Sequence, residues 1–377
     1  MRIQLFIICI SLLLPLMGRS QVEITLKKTI TDNFLESEII QEVSYSALQY
    51  DKIGMISPDM ELRVDNDNYF ILDNKFTQCV YHFNRDGELL NTICEQKPAG
   101  SGDNLPVLNN PAKFNVNPFL EQVEIYNFEK SIVQRFTYQG KKIDQIPFPI
   151  NPADFTRDEN GNYWIYTGWN NKETQFRLLK ADKNGKIIDR QLRLVTKCTP
   201  VESFAFSYWG NKILLCELLG NSTYMITNNA AKESYFLNYG IMNLSPVFHT
   251  MNAYDSYQML NHNGYYTIKK YLENDHFAYF FLNFNSTEQR DMYHIIYDKK
   301  TKKLYQYTEN AGIGAFDKAQ ALTADDELIF MVTPRKIRQL SASTYDVLPP
   351  AFDELNEVSK STRNTMVVRI KLQSPGE

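Results

Sequence analysis

The feature that most constrains this 377-residue chain is a hairpin unit that recurs six times after residue 60. Each unit joins short aromatic-rich strands through a tight polar turn. The clearest turns are Asn84-Arg85-Asp86-Gly87, Tyr138-Gln139-Gly140-Lys141 and Asp182-Lys183-Asn184-Gly185. Strands upstream of the turns begin near Tyr69, Val123, Tyr163, Lys212, Tyr265 and Glu327. These starts lie roughly 40 to 60 residues apart, the length of a propeller blade. A repeat of this kind fixes an architecture and leaves the chemistry open.

The alternation agrees. Tyr69-Phe70-Ile71-Leu72, Val123-Glu124-Ile125-Tyr126 and Met292–Tyr297 read as strands. With 23 Phe, 23 Tyr and 3 Trp, the chain has the aromatic share of a sheet-rich protein. Helical periodicity is confined to Phe34–Val43 and Pro350–Ser359. The blades parse as Ile53–Cys94, Ala112–Ile146, Asp154–Leu194, Phe204–Tyr239, Ser256–Thr308 and a sixth from Gln320 through Leu328–Val332 to Met366–Leu372. The fold expected is all-β: one six-bladed β-propeller of four-stranded antiparallel blades spanning residues 21–377. A ring must close or leave two sheet edges open. A strand around Val43–Leu48, paired with Met366–Leu372, is expected to complete the last blade.

Residues 1–20 read as a signal peptide. Arg2 is followed by an apolar run, Ile3–Met17, too short for an ordinary membrane span, and Gly18-Arg19-Ser20 offers a cleavage site before Gln21. Cys9 has no lipobox around it. The expected address is periplasmic or extracellular, with no transmembrane segment. Cleavage would remove Arg2 and Arg19, leaving 38 basic against 44 acidic residues, a net charge of −6. A mildly acidic, evenly mixed surface argues against nucleic acid as partner. A monomer is expected.

Four cysteines follow the leader: Cys79, Cys94, Cys198 and Cys216. None has zinc spacing. Cys79 and Cys94 flank one turn at similar distances and could face each other, but buried free thiols are the preferred reading.

Asp65–Asp73, Tyr81–Ile93, Asp158–Ile165 and the tail Asn364–Lys371 resemble a bacterial family of exported six-bladed propellers related to NHL-repeat propellers. The resemblance implies the fold and little chemistry. Members often carry a Gly-x-Gly-Pro-Gly-Glu-like loop after the first blade; Lys97–Asp103 keeps only part of it.

No local motif announces an enzyme. Asp65–Asn68 and Asp158–Asn162 fail the calcium-loop positions and read as polar turns. His82 and His294 sit in strands, whereas His249 and His262 could face the channel. No cofactor or metal site is expected. Trp164 reads as core; Trp169 and Trp209 lie beside turn residues and could touch a ligand. The expected function is a non-enzymatic scaffold binding a glycan, peptide or partner protein through loops at one ring face. The alternative is a channel-centred, metal-assisted hydrolase, lactonase or lyase. Expected ligand contacts are Lys97, Asp103, Trp169 and Trp209, with loops Lys97–Asn110 and Thr167–Thr174 at one mouth of the channel.

Overall fold

The computed structural model describes residues 21–375 except 28–33, 35, 51–55, 59, 74–76, 78, 95–110, 169–173, 195–204, 244–247, 249–250, 309–315 and 344–349. The chain opens with β1 (Val22–Thr25) and β2 (Ile40–Ala47), which belong to blades reached much later. Blade 1 is β3 (Glu61–Asp65), β4 (Asn68–Asp73), β5 (Cys79–Asn84) and β6 (Leu89–Ile93). Blade 2 is β7 (Pro111–Asn117), β8 (Gln122–Asn127), β9 (Ile132–Thr137) and β10 (Lys142–Pro147). Blade 3 is β11 (Asp154–Arg157), β12 (Tyr163–Tyr166), β13 (Phe176–Ala181) and β14 (Ile187–Arg193). Blade 4 is β15 (Phe206–Trp209), β16 (Lys212–Cys216), β17 (Ser222–Thr227) and β18 (Ala230–Asn238). Helix α1 (Ala253–Asn263) leads into blade 5: β19 (Tyr265–Glu273), β20 (Phe277–Asn285), β21 (Arg290–Asp298) and β22 (Leu304–Thr308). Blade 6 holds β23 (Ala321–Leu322) and β24 (Glu327–Val332). After α2 (Pro334–Ser343) and α3 (Pro350–Ser361) it adds β25 (Met366–Leu372).

The six-bladed propeller closes as expected. β2 pairs antiparallel with β25, Val43 opposite Ile370 and Ala47 opposite Met366, so the outermost strand of blade 6 comes from the N-terminus. The helical pattern expected at Phe34–Val43 is not realised: Ile40–Val43 lies in strand β2. The free edge of β25 offers it a ladder of hydrogen bonds, which overrides a local pattern. A feature absent from the sequence reading is β1, a fifth strand laid parallel on the outer edge of blade 4, Ile24 opposite Leu237. The N-terminal segment therefore links blades 4, 5 and 6. Beyond β1, the Lys27 N–H donates to Gln306 of blade 5 at 3.0 Å, and Phe34 packs edge-on against Tyr307 at 5.1 Å.

The recurring turn has an atomic cause. In blade 1, Asn84 Oδ1 accepts from the N–H groups of Asp86 and Glu88; in blade 3, Asp182 Oδ1 accepts from Asn184 and Lys186. A glycine closes each turn at positive φ, Gly87 at 85° and Gly185 at 87°. Each turn presses on the end of the preceding blade. A Cβ on Gly87 would lie 2.4 Å from the Ala47 carbonyl oxygen, and one on Gly185 2.3 Å from that of Pro147. Glycine is therefore required both by conformation and by the seam it docks against. The same Asx device explains Asp158–Asn162, where Asp158 Oδ1 accepts from the Asn162 N–H at 2.8 Å.

Each blade buries its two faces against its neighbours, so the aromatic excess becomes core between blades. The seam of blades 5 and 6 is the most extensive, with Tyr279, Phe281, Phe316, Phe330 and Phe352 all buried.

The cysteine expectation needs correction. Cys79 and Cys94 form a disulfide, Cα atoms 4.8 Å apart. Pairing of Val80 with Ile93 puts the next residues outward opposite each other, which the apparent symmetry about the turn anticipated. Cys216 is buried and outside any disulfide, its Sγ donating to the Ala205 carbonyl at 3.7 Å. Cys198 lies outside the described residues.

Candidate functional site at the channel axis

The first strands of successive blades, β3, β7, β11, β15, β19 and β23, stand side by side around the ring axis. The hairpin turns between first and second strands and between third and fourth strands share one face, here the turn face. Bonds between blades fix this: Tyr138 to Asp65, Arg85 to Glu327, His276 to Asp326. The remaining connections leave from the opposite, loop face.

The turn-side half of the axis is closed by matched hydrogen bonds. Tyr208 is the hub: its hydroxyl accepts from Thr156 at 2.5 Å and donates to the Arg157 carbonyl at 3.0 Å. Asn115 approaches the same oxygen at 3.4 Å, and Asn117 donates to the Arg157 carbonyl. Burial raises the Tyr208 hydroxyl to about 12, so it stays protonated.

The loop-side half is charged and less complete. Arg63 reaches across the axis from blade 1. Its Nε donates to Glu61 at 2.8 Å, its Nη1 donates to the Phe206 carbonyl of blade 4 at 2.6 Å, and its Nη2 lies 3.6 Å from Asp154 of blade 3. Both Asp154 oxygens are engaged, accepting from the N–H groups of Phe155 and Phe206. Lys270 of blade 5 acts electrostatically on Glu61 of blade 1, and Lys113 of blade 2 does the same. These are buried side chains: Asp154 is 1% exposed, Lys270 3%, Glu61 7% and Arg63 8%. Burial drives the Glu61 carboxyl up to about 7 against the pull of Arg63. Burial also pushes the Lys270 ammonium down to about 7, with Arg63 and Lys318 adding to the effect. Burial thus works against the charged form of both groups. Among the described residues, no group of three His, Cys, Asp or Glu could hold a metal ion.

The sequence reading missed this cluster. Its signal is a polar or charged residue at alternate positions of the first strands of blades 1, 2 and 3, Glu61 and Arg63, Lys113 and Asn115, Asp154 and Thr156, with Ser207 and Lys270 in those of blades 4 and 5. Inner strands of a propeller differ in this way from the apolar strands behind them.

Of the expected contacts, Lys97, Asp103 and Trp169 lie outside the described residues. The strands leading into their segments, β6 and β12, both end at the loop face. Trp209 ends β15 at the turn face. The ammonium groups of Lys212 and Lys299 lie over its ring at 3.2 and 4.0 Å. Beside it, a polar cleft of about 370 Å³ runs along the seam of blades 3 and 4, lined by Asp158, Asn160, Asn211, Lys212 and Asn229. Trp164 is core, 1% exposed. His82 is buried and bonded to Asn68. His294 is buried against Tyr279 and held neutral, pushed down to about 3 by burial. His262 is exposed on α1, away from the axis cluster, and His249 lies outside the described residues. No helix among the described residues is long and apolar enough to cross a membrane.

Two solved structures share the architecture. One is a Bacteroides fragilis NCTC 9343 protein thought to be exported, at 16% identity and a TM-score of 0.74, aligned over 94% of this chain and 100% of that one. The other is a member of the duf4221 family from Bacteroides vulgatus ATCC 8482, at 11% identity and a TM-score of 0.53, over 89% and 97%. At these identities the likeness concerns the fold. No curated protein matches the chain. Residues 21–371 match the family described as Domain of unknown function (DUF4934), and the chain belongs to that family.

Proposed function

We propose that this propeller is exported and binds a glycan, peptide or partner protein at the loop-side mouth of its channel, as a scaffold and not as an enzyme. The observation that carries the reading is the unequal axis: matched hydrogen bonds on the turn side, and an Arg63 guanidinium whose buried Nη2 has no hydrogen-bond partner on the loop side. A buried guanidinium nitrogen without a hydrogen bond calls for an acceptor, which a ligand at this mouth would supply. Lys97, Asp103 and Trp169 are proposed contributors, because their segments connect strands that end at this face. Trp209, at the other face, is proposed as a separate contact. Kinship with NHL-repeat propellers, suggested by Asp158–Ile165, and monomeric state belong to the same reading. So does cleavage of residues 1–20, leaving residues 21–377 as one domain; mass spectrometry of the mature N-terminus should find Gln21.

The test is a panel of glycans and peptides screened by thermal shift, with hits mapped by hydrogen exchange. Protection should concentrate in β3, β11 and β19. Hits that protect only the turn face near Trp209 would overturn the assignment. A second reading, a hydrolase, lactonase or lyase, is favoured by one observation: Glu61 and Lys270 both titrate near 7. Turnover of a lactone panel that Glu61→Gln abolishes would select it, and metal analysis of the protein would show whether an ion takes part.

A further inference from the structure

We propose that the loop-side end of the channel binds an oxyanion group, inorganic or carried as a carboxylate on a larger ligand, between Lys270 and Arg63. This names the ligand chemistry of the mouth site and so rests on the preceding reading.

The groups acting on Glu61 and Lys270 include four cations, Arg63, Lys113, Lys270 and Lys318, and two carboxylates, Glu61 and Asp154. The nearby Tyr208 hydroxyl, raised to about 12 by burial, is neutral near pH 7. The Lys270 ammonium makes no hydrogen bond or ion pair with any described residue, although its side chain is 97% buried. Buried ammonium groups are ordinarily paired or lost. Arg63 Nη2 is a second buried donor without a hydrogen bond. Two donors without hydrogen bonds at the axis, the Lys270 ammonium of blade 5 and the Nη2 that Arg63 carries over from blade 1, suit an acceptor with several oxygens.

The two carboxylates do not block such a ligand. Asp154 is engaged by two backbone N–H groups and faces Arg63, and Glu61 is bonded to Arg63 Nε. Glu61, raised to about 7, also loses its charge as the pH falls below neutrality, while Lys270 gains its own. Both changes favour an anion at lower pH. Buried ion pairs also occur at the seams, where Arg157 meets Glu124 and Arg177 meets Glu217.

The experiment uses the mature chain and calorimetric titration at constant ionic strength, with chloride as reference. Sulfate, phosphate, acetate and glucuronate are the probes, and glucose is the neutral control. At least one oxyanion should saturate a single site at pH 6 and bind more weakly at pH 9. Preference for sulfate or phosphate indicates a free inorganic ion; preference for glucuronate over acetate indicates a carboxylate on a sugar. Lys270→Met should weaken binding by about tenfold or more, and Lys270→Arg should retain it. Glu61→Gln should tighten binding at pH 8, which keeps the test decisive if Lys270→Met does not fold. No saturable oxyanion, equal binding by Lys270→Met, or no tightening by Glu61→Gln overturns the proposal. If neutral panel ligands still protect β3, β11 and β19, the mouth assignment survives and only the anion chemistry fails.

Discussion

Buried charge occurs in two regions of this ring, and they are built differently. At the seams, each buried acid has its partner. Glu217 of blade 4 receives Arg177 of blade 3 and the Tyr166 hydroxyl; Glu124 of blade 2 receives Arg157 and the Tyr163 hydroxyl of blade 3. These pairs tie one blade to the next and are consumed in doing so. At the loop side of the axis, the Lys270 ammonium has no such partner among the described residues, and Arg63 Nη2 faces Asp154 without a hydrogen bond. Paired charge at a seam specifies how blades meet, whereas the Lys270 ammonium on the axis ties no blade to another by a hydrogen bond or ion pair with a described residue. The seams therefore belong to the fold, and the axis is where a ligand would act.

Four substitutions can break or sharpen that contrast. The largest effect is expected at a seam. Arg177→Met strands the buried Glu217 carboxylate and should cost about 3–5 kcal/mol in urea unfolding. A loss below about 1 kcal/mol would mean that seam pairs do not carry blade contact.

His294 comes next. Its folded value of about 3 lies below the ordinary 6.5, so the folded state binds fewer protons there. That stability is present above pH 6.5 and is lost as pH falls towards 3, on the order of 3 kcal/mol. His294→Leu should flatten the acid limb of the stability profile over that window. An unchanged limb would show that His294 titrates normally.

The axis should respond with the opposite sign. Lys270 has a folded value of about 7 against the ordinary 10.5, so stability is full above 10.5 and declines as pH falls to 7. Lys270→Met should raise stability by about 1–2 kcal/mol at pH 6, with the gain vanishing near pH 11. A loss at pH 6 would place Lys270 with the paired seam charges. The smallest effect is expected from Tyr208→Phe, which removes the hub of the turn-side axis. It should cost about 1–2 kcal/mol without altering anion binding at the other end. A change in both would show that the two halves of the axis act as one.

How much of this was legible in sequence depends on how local each cause is. The turns at Asn84–Gly87 and Asp182–Gly185 were readable because side chain, backbone and glycine act within five residues. The closing strand was readable because Met366–Leu372 needs an edge partner and the N-terminal segment supplies an alternating run. β1 was not, because four residues on an existing edge leave almost no pattern. The Cys79–Cys94 bridge was undervalued because it depends on pairing register, which a turn length alone does not fix. Glu61, Arg63, Asp154 and Lys270 stand far apart in the chain, each an ordinary polar residue in a short strand. Trp209 stood out by type, yet two lysines occupy its ring face.

The sequence by itself determined the repeat, and with it the six blades, their turns and the pairing of the two ends. Those properties follow from period, propensity and the need to leave no open sheet edge. Which charges meet follows from how the blades pack around the ring. The seam pairs and the axis cluster are drawn from different blades, and their energies depend on burial and distance across the ring. Neither quantity is encoded by any one stretch of the chain.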